Sequence, residues 1–168
     1  MTLRRLLPLF LLALSTSVHA GGWIVRPDGA GPLKVGMTLD DVNKTLGDHL
    51  QPTPPGERGS PHCYQLEPAR QPGLLLMFID DVLKRVDVME EGIASDRGVR
   101  LGDPVSKVQR VYGKGVLRSP APYVEGEQTL MVRSRDGRYA LRFATGDGRI
   151  AELAAGAWKE IQYDEGCL

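Results

Sequence analysis

A thirteen-residue phrase occurs twice in this chain, and that doubling restricts the fold more than any other feature. Val35-Gly36-Met37-Thr38-Leu39-Asp40-Asp41-Val42-Asn43-Lys44-Thr45-Leu46-Gly47 aligns without a gap on Leu101-Gly102-Asp103-Pro104-Val105-Ser106-Lys107-Val108-Gln109-Arg110-Val111-Tyr112-Gly113. Glycines match at 36/102 and 47/113, and apolar or aromatic residues match at 35/101, 39/105, 42/108 and 46/112. Apolar spacings of three and four put these side chains on one face of a short helix. Thr38 with Asp41 reads as a capping box, Asp103 as a cap with Pro104 in the first turn, and the closing glycines as stops. Helices this short need tertiary packing to persist.

The segments after each helix alternate like strands. In the first half, Cys63 to Leu66 and Leu74 to Ile79 extend, Asp80-Asp81 turns, and Leu83 to Met89 returns. In the second, Thr129 to Ser134, Arg138 to Ala144 and Arg149 to Ala155 extend around turns at Asp136-Gly137 and Gly146-Asp147-Gly148. Asp-Gly pairs between such runs are hairpin signals. Phe78 and Phe143 hold equivalent places before their turns, and Trp158 to Tyr163 reads as a last strand that brings Cys167 back to the first half. Gln51 to Pro61 and Gly115 to Gln128 read as loops. The expected class is α+β: two tandem helix-plus-hairpin repeats forming one largely antiparallel sheet, with short helices on one face. The boundaries are 21–92 for the first repeat and 93–168 for the second with its C-terminal strand.

Residues 1–20 read differently. Arg4 and Arg5 precede an apolar run too short to span a bilayer, and Val18-His19-Ala20 ends in small or aliphatic side chains at the positions a signal peptidase reads. The expectation is a signal peptide cleaved near Ala20, hence a periplasmic or secreted protein with no stable membrane insertion. No cysteine follows the cut to carry a lipid anchor. The leader takes two arginines from a chain with 21 basic and 21 acidic residues, leaving a slight acid excess. That balance offers no field for a polyphosphate, so nucleic acid is not expected as a partner.

Cys63 and Cys167 are the two cysteines. In an oxidising compartment they read first as a disulfide, worth about 4–5 kcal/mol on a chain-entropy account of so long a loop. The alternative is a Cys63 nucleophile beside His62, made awkward by the opposite facing of neighbours on a strand. His49 and His62 with Asp48 and Cys63 form no recognised metal-ligand spacing, and Gly146-Asp147-Gly148 lacks the run of oxygens that calcium needs. No cofactor or catalytic residue is expected. Asp40-Asp41 suits a helix N-terminus and Glu90-Glu91 a solvated strand end. Arg133, Arg135 and Arg142 alternate against apolar strand residues and are expected on an uncovered sheet face. With Tyr123 in the second loop and Asp80 and Asp81 in the turn, they are the candidate partner-binding residues, since arginine and aromatics anchor interfaces. Trp158 reads equally as core or as part of that surface.

The phrase at 35–47, with its weaker second copy, is similar to the helix-opening motif of β-lactamase inhibitor protein-like (BLIP-like) domains. A single copy of the motif marks the small lipoprotein of the outer-membrane β-barrel assembly machinery. The resemblance implies a sheet whose free face and hairpin tips grip another protein, with Asp80-Asp81 as the acidic tip. The implied function is a non-enzymatic inhibitor or immunity protein against an envelope hydrolase or secreted toxin. Two alternatives stand beside it: an envelope assembly or scaffold factor contacting outer-membrane protein machinery, and a hydrolase built on His62.

Overall fold

The computed structural model describes residues 23–58 and 60–167, so the expected signal peptide and its cleavage site lie outside the described residues. The chain is mixed α+β and mostly sheet. Helix α1, Leu39–Leu46, opens with a complete capping box: Thr38 Oγ1 accepts from the Asp41 N–H, and the Asp41 carboxylate accepts from the Thr38 N–H, both at 3.2 Å. It ends on Gly47 at φ 66°, a left-handed position that glycine adopts without strain. Helix α2, Val105–Tyr112, follows Pro104 and has no side-chain cap. The expected Asp103 cap does not form. Its carboxylate accepts instead from the Arg100 N–H and Lys107 Nζ, each at 2.7 Å.

Seven strands form the large sheet, all antiparallel: β4 (Cys63–Leu66), β5 (Leu74–Ile79), β6 (Val82–Val88), β8 (Val116–Pro120), β9 (Gln128–Arg133), β10 (Tyr139–Gly146) and β11 (Arg149–Ala157). Their order is β4-β5-β6-β11-β10-β9-β8, so two meanders meet through their last strands. Asp80 and Asp81 both take positive φ, 50° and 59°, the conformation that two-residue hairpin turns require. Strand β8 lies where a loop was expected. It sits at the sheet edge and ends on Pro120, an edge position at which a missing N–H is tolerated.

The expectation of one sheet is corrected by a second, four-stranded one. Strands β1 (Ile24–Arg26), β2 (Gly29–Ala30), β3 (Leu33–Lys34) and β7 (Ala94–Ser95) are two or three residues long and pair with one another, β1 and β7 in parallel. Val25, Ala30 and Leu33 are buried and join the helices' Val42 and Val108 in one core. The large sheet contributes Leu76, Phe78, Val86, Leu130, Leu141, Phe143 and Leu153 to the same core, all fully or almost fully buried.

The opposite face of the large sheet is not bare. The expected final strand at 158–163 does not form, because β11 ends at Ala157 and the chain turns through a short 3-10 helix, Glu160–Gln162. Ile161 packs, fully buried, against Ala140 and Ala154, whose small side chains leave room for it. From there the chain crosses back over the sheet as a strap. The Tyr163 carbonyl accepts from Arg85 on β6, and Asp164 takes Arg142 on β10 at 2.8 Å. Cys167 is bonded to Cys63 on β4, with 5.3 Å between the Cα atoms and 104 positions between them in sequence. Among the described residues no helix is long and apolar enough to cross a membrane.

Candidate partner-binding site

The strap decides the fate of several candidate residues. Arg142, expected on an uncovered face, is only 4% exposed. Its guanidinium spans Glu152 and Asp164, 2.8 Å to each. Beside it, Arg85 donates through both Nε and Nη2 to Asp87 Oδ1, leaving Asp87 Oδ2 buried without a partner. Burial pushes the Asp87 carboxyl up, against the pull of the Arg85 charge. Arg142 through Asp164, and Arg85 through the Tyr163 carbonyl, tie the strap to the sheet. Arg142 is therefore withdrawn from the interaction surface, because alternation along β10 fixes its face but says nothing about what covers that face.

The acidic tip is also tied inward. His62 Nδ1 lies 2.7 Å from Asp80 Oδ1, and the Tyr64 hydroxyl donates to Asp81 Oδ1 at 2.5 Å. The Asp81 carbonyl accepts from the N–H of Leu39. Burial and the Asp81 carboxylate together hold the Tyr64 phenol well above its ordinary value. The tip is exposed, but much of its charge is already engaged. Cys63 is in a disulfide and carries no thiol for a nucleophile. Among the described residues no three His, Cys, Asp or Glu side chains converge to hold a metal ion. Tyr123 is 71% exposed on the loop after β8, its hydroxyl raised above the usual phenol range by the Glu165 carboxylate of the strap.

Arg133 and Arg135 have a different setting. They lie at the β9–β10 turn, on the rim of an open groove of about 590 Å³. Arg138, just before β10, shares it, as do two arginines that the sequence did not single out for binding: Arg26 at the end of β1 and Arg97 after β7. Distant segments meet here because β1 pairs with β7 while the β9–β10 hairpin ends at the same corner. The sequence could have offered only a weak signal, since Arg26 and Arg97 stand alone beside short turns.

Three of the guanidiniums lie over rings. Arg133 lies 4.1 Å from the Trp158 ring centre, Arg97 5.0 Å from Tyr112, and Arg138 5.3 Å from Tyr139. Such contacts are worth about 0.5–1 kcal/mol at exposed sites, and they also hold long side chains in place. Arg133 Nε donates to the Gly137 carbonyl at 2.8 Å, and Arg97 Nη1 to that of Val111. The groove also holds three aspartates, each engaged. Asp136 accepts from Ser134 and Arg138 at 2.7 Å, Asp28 pairs with Lys34 at 2.8 Å, and Asp96 accepts from the Tyr112 hydroxyl. The Ser134 and Arg138 bonds draw the Asp136 carboxyl down to about 2. Among the described residues, Arg26 and Arg135 make no side-chain hydrogen bond or ion pair, although both are exposed.

The resulting surface has an aromatic and aliphatic floor, formed by Tyr112, Tyr139 and Val132, and a rim of pre-oriented cations. That composition is typical of the residues that carry binding energy between proteins. No family model matches the chain, and no curated protein or solved structure matches it.

Proposed function

We propose that this protein is a non-enzymatic, exported binding protein that blocks another protein, an envelope hydrolase or a secreted toxin, by seating it at the arginine groove. The observation that carries the reading is the groove itself. Five arginines from three separate segments converge there, three of them over rings, at the end of a sheet stapled by a disulfide. A rigid scaffold lowers the entropy lost on docking, and stacked arginines lose less freedom than free ones. Inhibition would be steric, by occlusion of the partner's cleft.

The reading as a duplicated, inhibitor-like domain belongs to the same proposal. Its support is that α1 and α2 keep the 66-residue offset of the sequence motif at both ends, and that each is followed by a meander of the large sheet. The cysteine pair joins strand and strap in the manner suited to an oxidising compartment, which agrees with export. The arginine groove takes over the role that the resemblance gave to the acidic tip.

Affinity capture from an envelope extract with the oxidised protein should return a hydrolase or toxin near one-to-one, and the purified pair should show loss of the partner's activity. Failure to bind or inhibit any envelope hydrolase or co-encoded toxin would remove this reading. Capture of outer-membrane assembly components instead would replace it with the scaffold alternative.

A further inference from the structure

We infer that the arginine groove reads an acidic peptide segment, carboxylates spaced along an extended or looped stretch of the partner, with an apolar side chain resting on the floor. This rests on the protein-binding reading above and names the chemistry of the partner.

The donor count points this way. A guanidinium carries five N–H donors and no acceptor. Arg133 and Arg97 each spend one on a backbone carbonyl, and Arg26 and Arg135 spend none on a described side chain. The groove's own carboxylates are partly committed, with Asp136 accepting from Ser134 and Arg138, Asp28 from Lys34, and Asp96 from Tyr112. Across the groove, donors outnumber acceptors. Five arginines against three aspartates leave a surplus of two positive charges for an incoming anion.

The aspartates also shape the choice among anions. Interleaved carboxylates would repel a continuous phosphate backbone, and a surplus of two charges releases few counterions. A peptide can place its carboxylates opposite Arg26 and Arg135 and pass the aspartates with neutral residues. Fork-like pairing of arginine with carboxylate gives such a contact direction as well as strength. A lone small anion would leave most of the groove, about 590 Å³, unfilled. Tyr112, Tyr139 and Val132 give a peptide side chain an apolar surface to rest on.

The test uses the oxidised protein and a fluorescein-labelled peptide of Glu and Ser with one central Phe, followed by polarisation. Saturable one-site binding is expected, weakening as salt rises because the contacts are exposed to screening. Arg26→Glu with Arg135→Glu should weaken it by about tenfold or more. Both side chains are exposed and make no hydrogen bond or ion pair among the described residues, so an unchanged melting temperature is expected and reports an intact fold. A Lys-for-Glu version of the peptide should not bind. Absence of Glu-peptide binding, or binding indifferent to the double reversal, overturns the inference. So does tighter binding of a single-stranded oligonucleotide, of phosphatidylglycerol vesicles or of inorganic phosphate. A captured hydrolase that is still blocked by the double-reversal variant would sink the acidic-segment inference and leave the blocking function standing. Groove-dependent binding of the Glu peptide with no protein partner would do the reverse.

Discussion

Arg142 on β10 reaches Asp164 of the C-terminal strap, Nη2 to Oδ1 at 2.8 Å, from a position 4% exposed in the sheet face. Next to it Arg85 and Asp87 form a second pair, their side chains 6% and 15% exposed. The two pairs differ in what removal leaves behind. Asp164 and Glu152 remain 37% and 57% exposed, so water can serve them once Arg142 is gone. Arg85 without Asp87 keeps a buried charge. Asp87→Ala is therefore expected to cost about 3–5 kcal/mol and Arg142→Ala less, while Arg85→Met with Asp87→Leu recovers most of the loss. Urea melts of the three variants check the order. Equal costs for Asp87→Ala and the double variant would contradict it.

The strap's covalent end is testable by itself. Cys63→Ser with Cys167→Ser opens a loop spanning 104 positions, and a loss approaching 4–5 kcal/mol is expected from denaturant midpoints. Hydrogen exchange should show the loss of protection concentrated in 158–167. Mass spectrometry without reductant should find the two cysteines joined.

Ile161 gives the strap its apolar anchor, fully buried against Ala140 and Ala154. Ile161→Ala should cost about 2–5 kcal/mol, and Ala154→Leu should also destabilise by overfilling the same place. A neutral Ile161→Ala in a thermal melt would mean that the strap does not dock.

Asp136 offers a pH signature in the groove. Its carboxyl titrates at about 2 in the fold against an ordinary value of 3.8. A depressed carboxylate contributes stability that is present above 3.8 and is lost as pH falls toward 2. Carbon-detected NMR titration should place Asp136 near 2 in the parent chain. In Arg138→Ala it should move up toward 3.8, with the Ser134 bond still holding part of the shift.

Much of this architecture was legible in the chain. Alternation placed β4, β5, β6, β9, β10 and β11 within a residue or two of their ends, and apolar spacing located both helices. The cysteine pair followed from number and from the expectation of an oxidising compartment. What escaped was set by distant packing. The two- and three-residue strands β1, β2, β3 and β7 are too short to show periodicity, and they exist because they pair with one another. Strand β8 was hidden by Pro120 at its end, which an edge tolerates, and by Pro122 just beyond it. The strap was missed because only Ile161-Gln162-Tyr163 alternates, whereas the spacing of three from Trp158 to Ile161 suits the 3-10 turn that buries Ile161 on the far face. That turn also took Arg142 out of the surface. Arg133 and Arg135 stayed in the candidate site, but Arg26 and Arg97 joined them through tertiary structure alone.

The groove, rather than the acidic tip, is proposed to hold the partner. The most direct measurement is the affinity of the captured hydrolase or toxin for two variants by titration calorimetry. Arg26→Glu with Arg135→Glu is expected to abolish or severely weaken binding, while Asp80→Ala with Asp81→Ala leaves it within a few-fold of the parent. Loss of binding in the tip variant with full affinity in the groove variant would contradict the account.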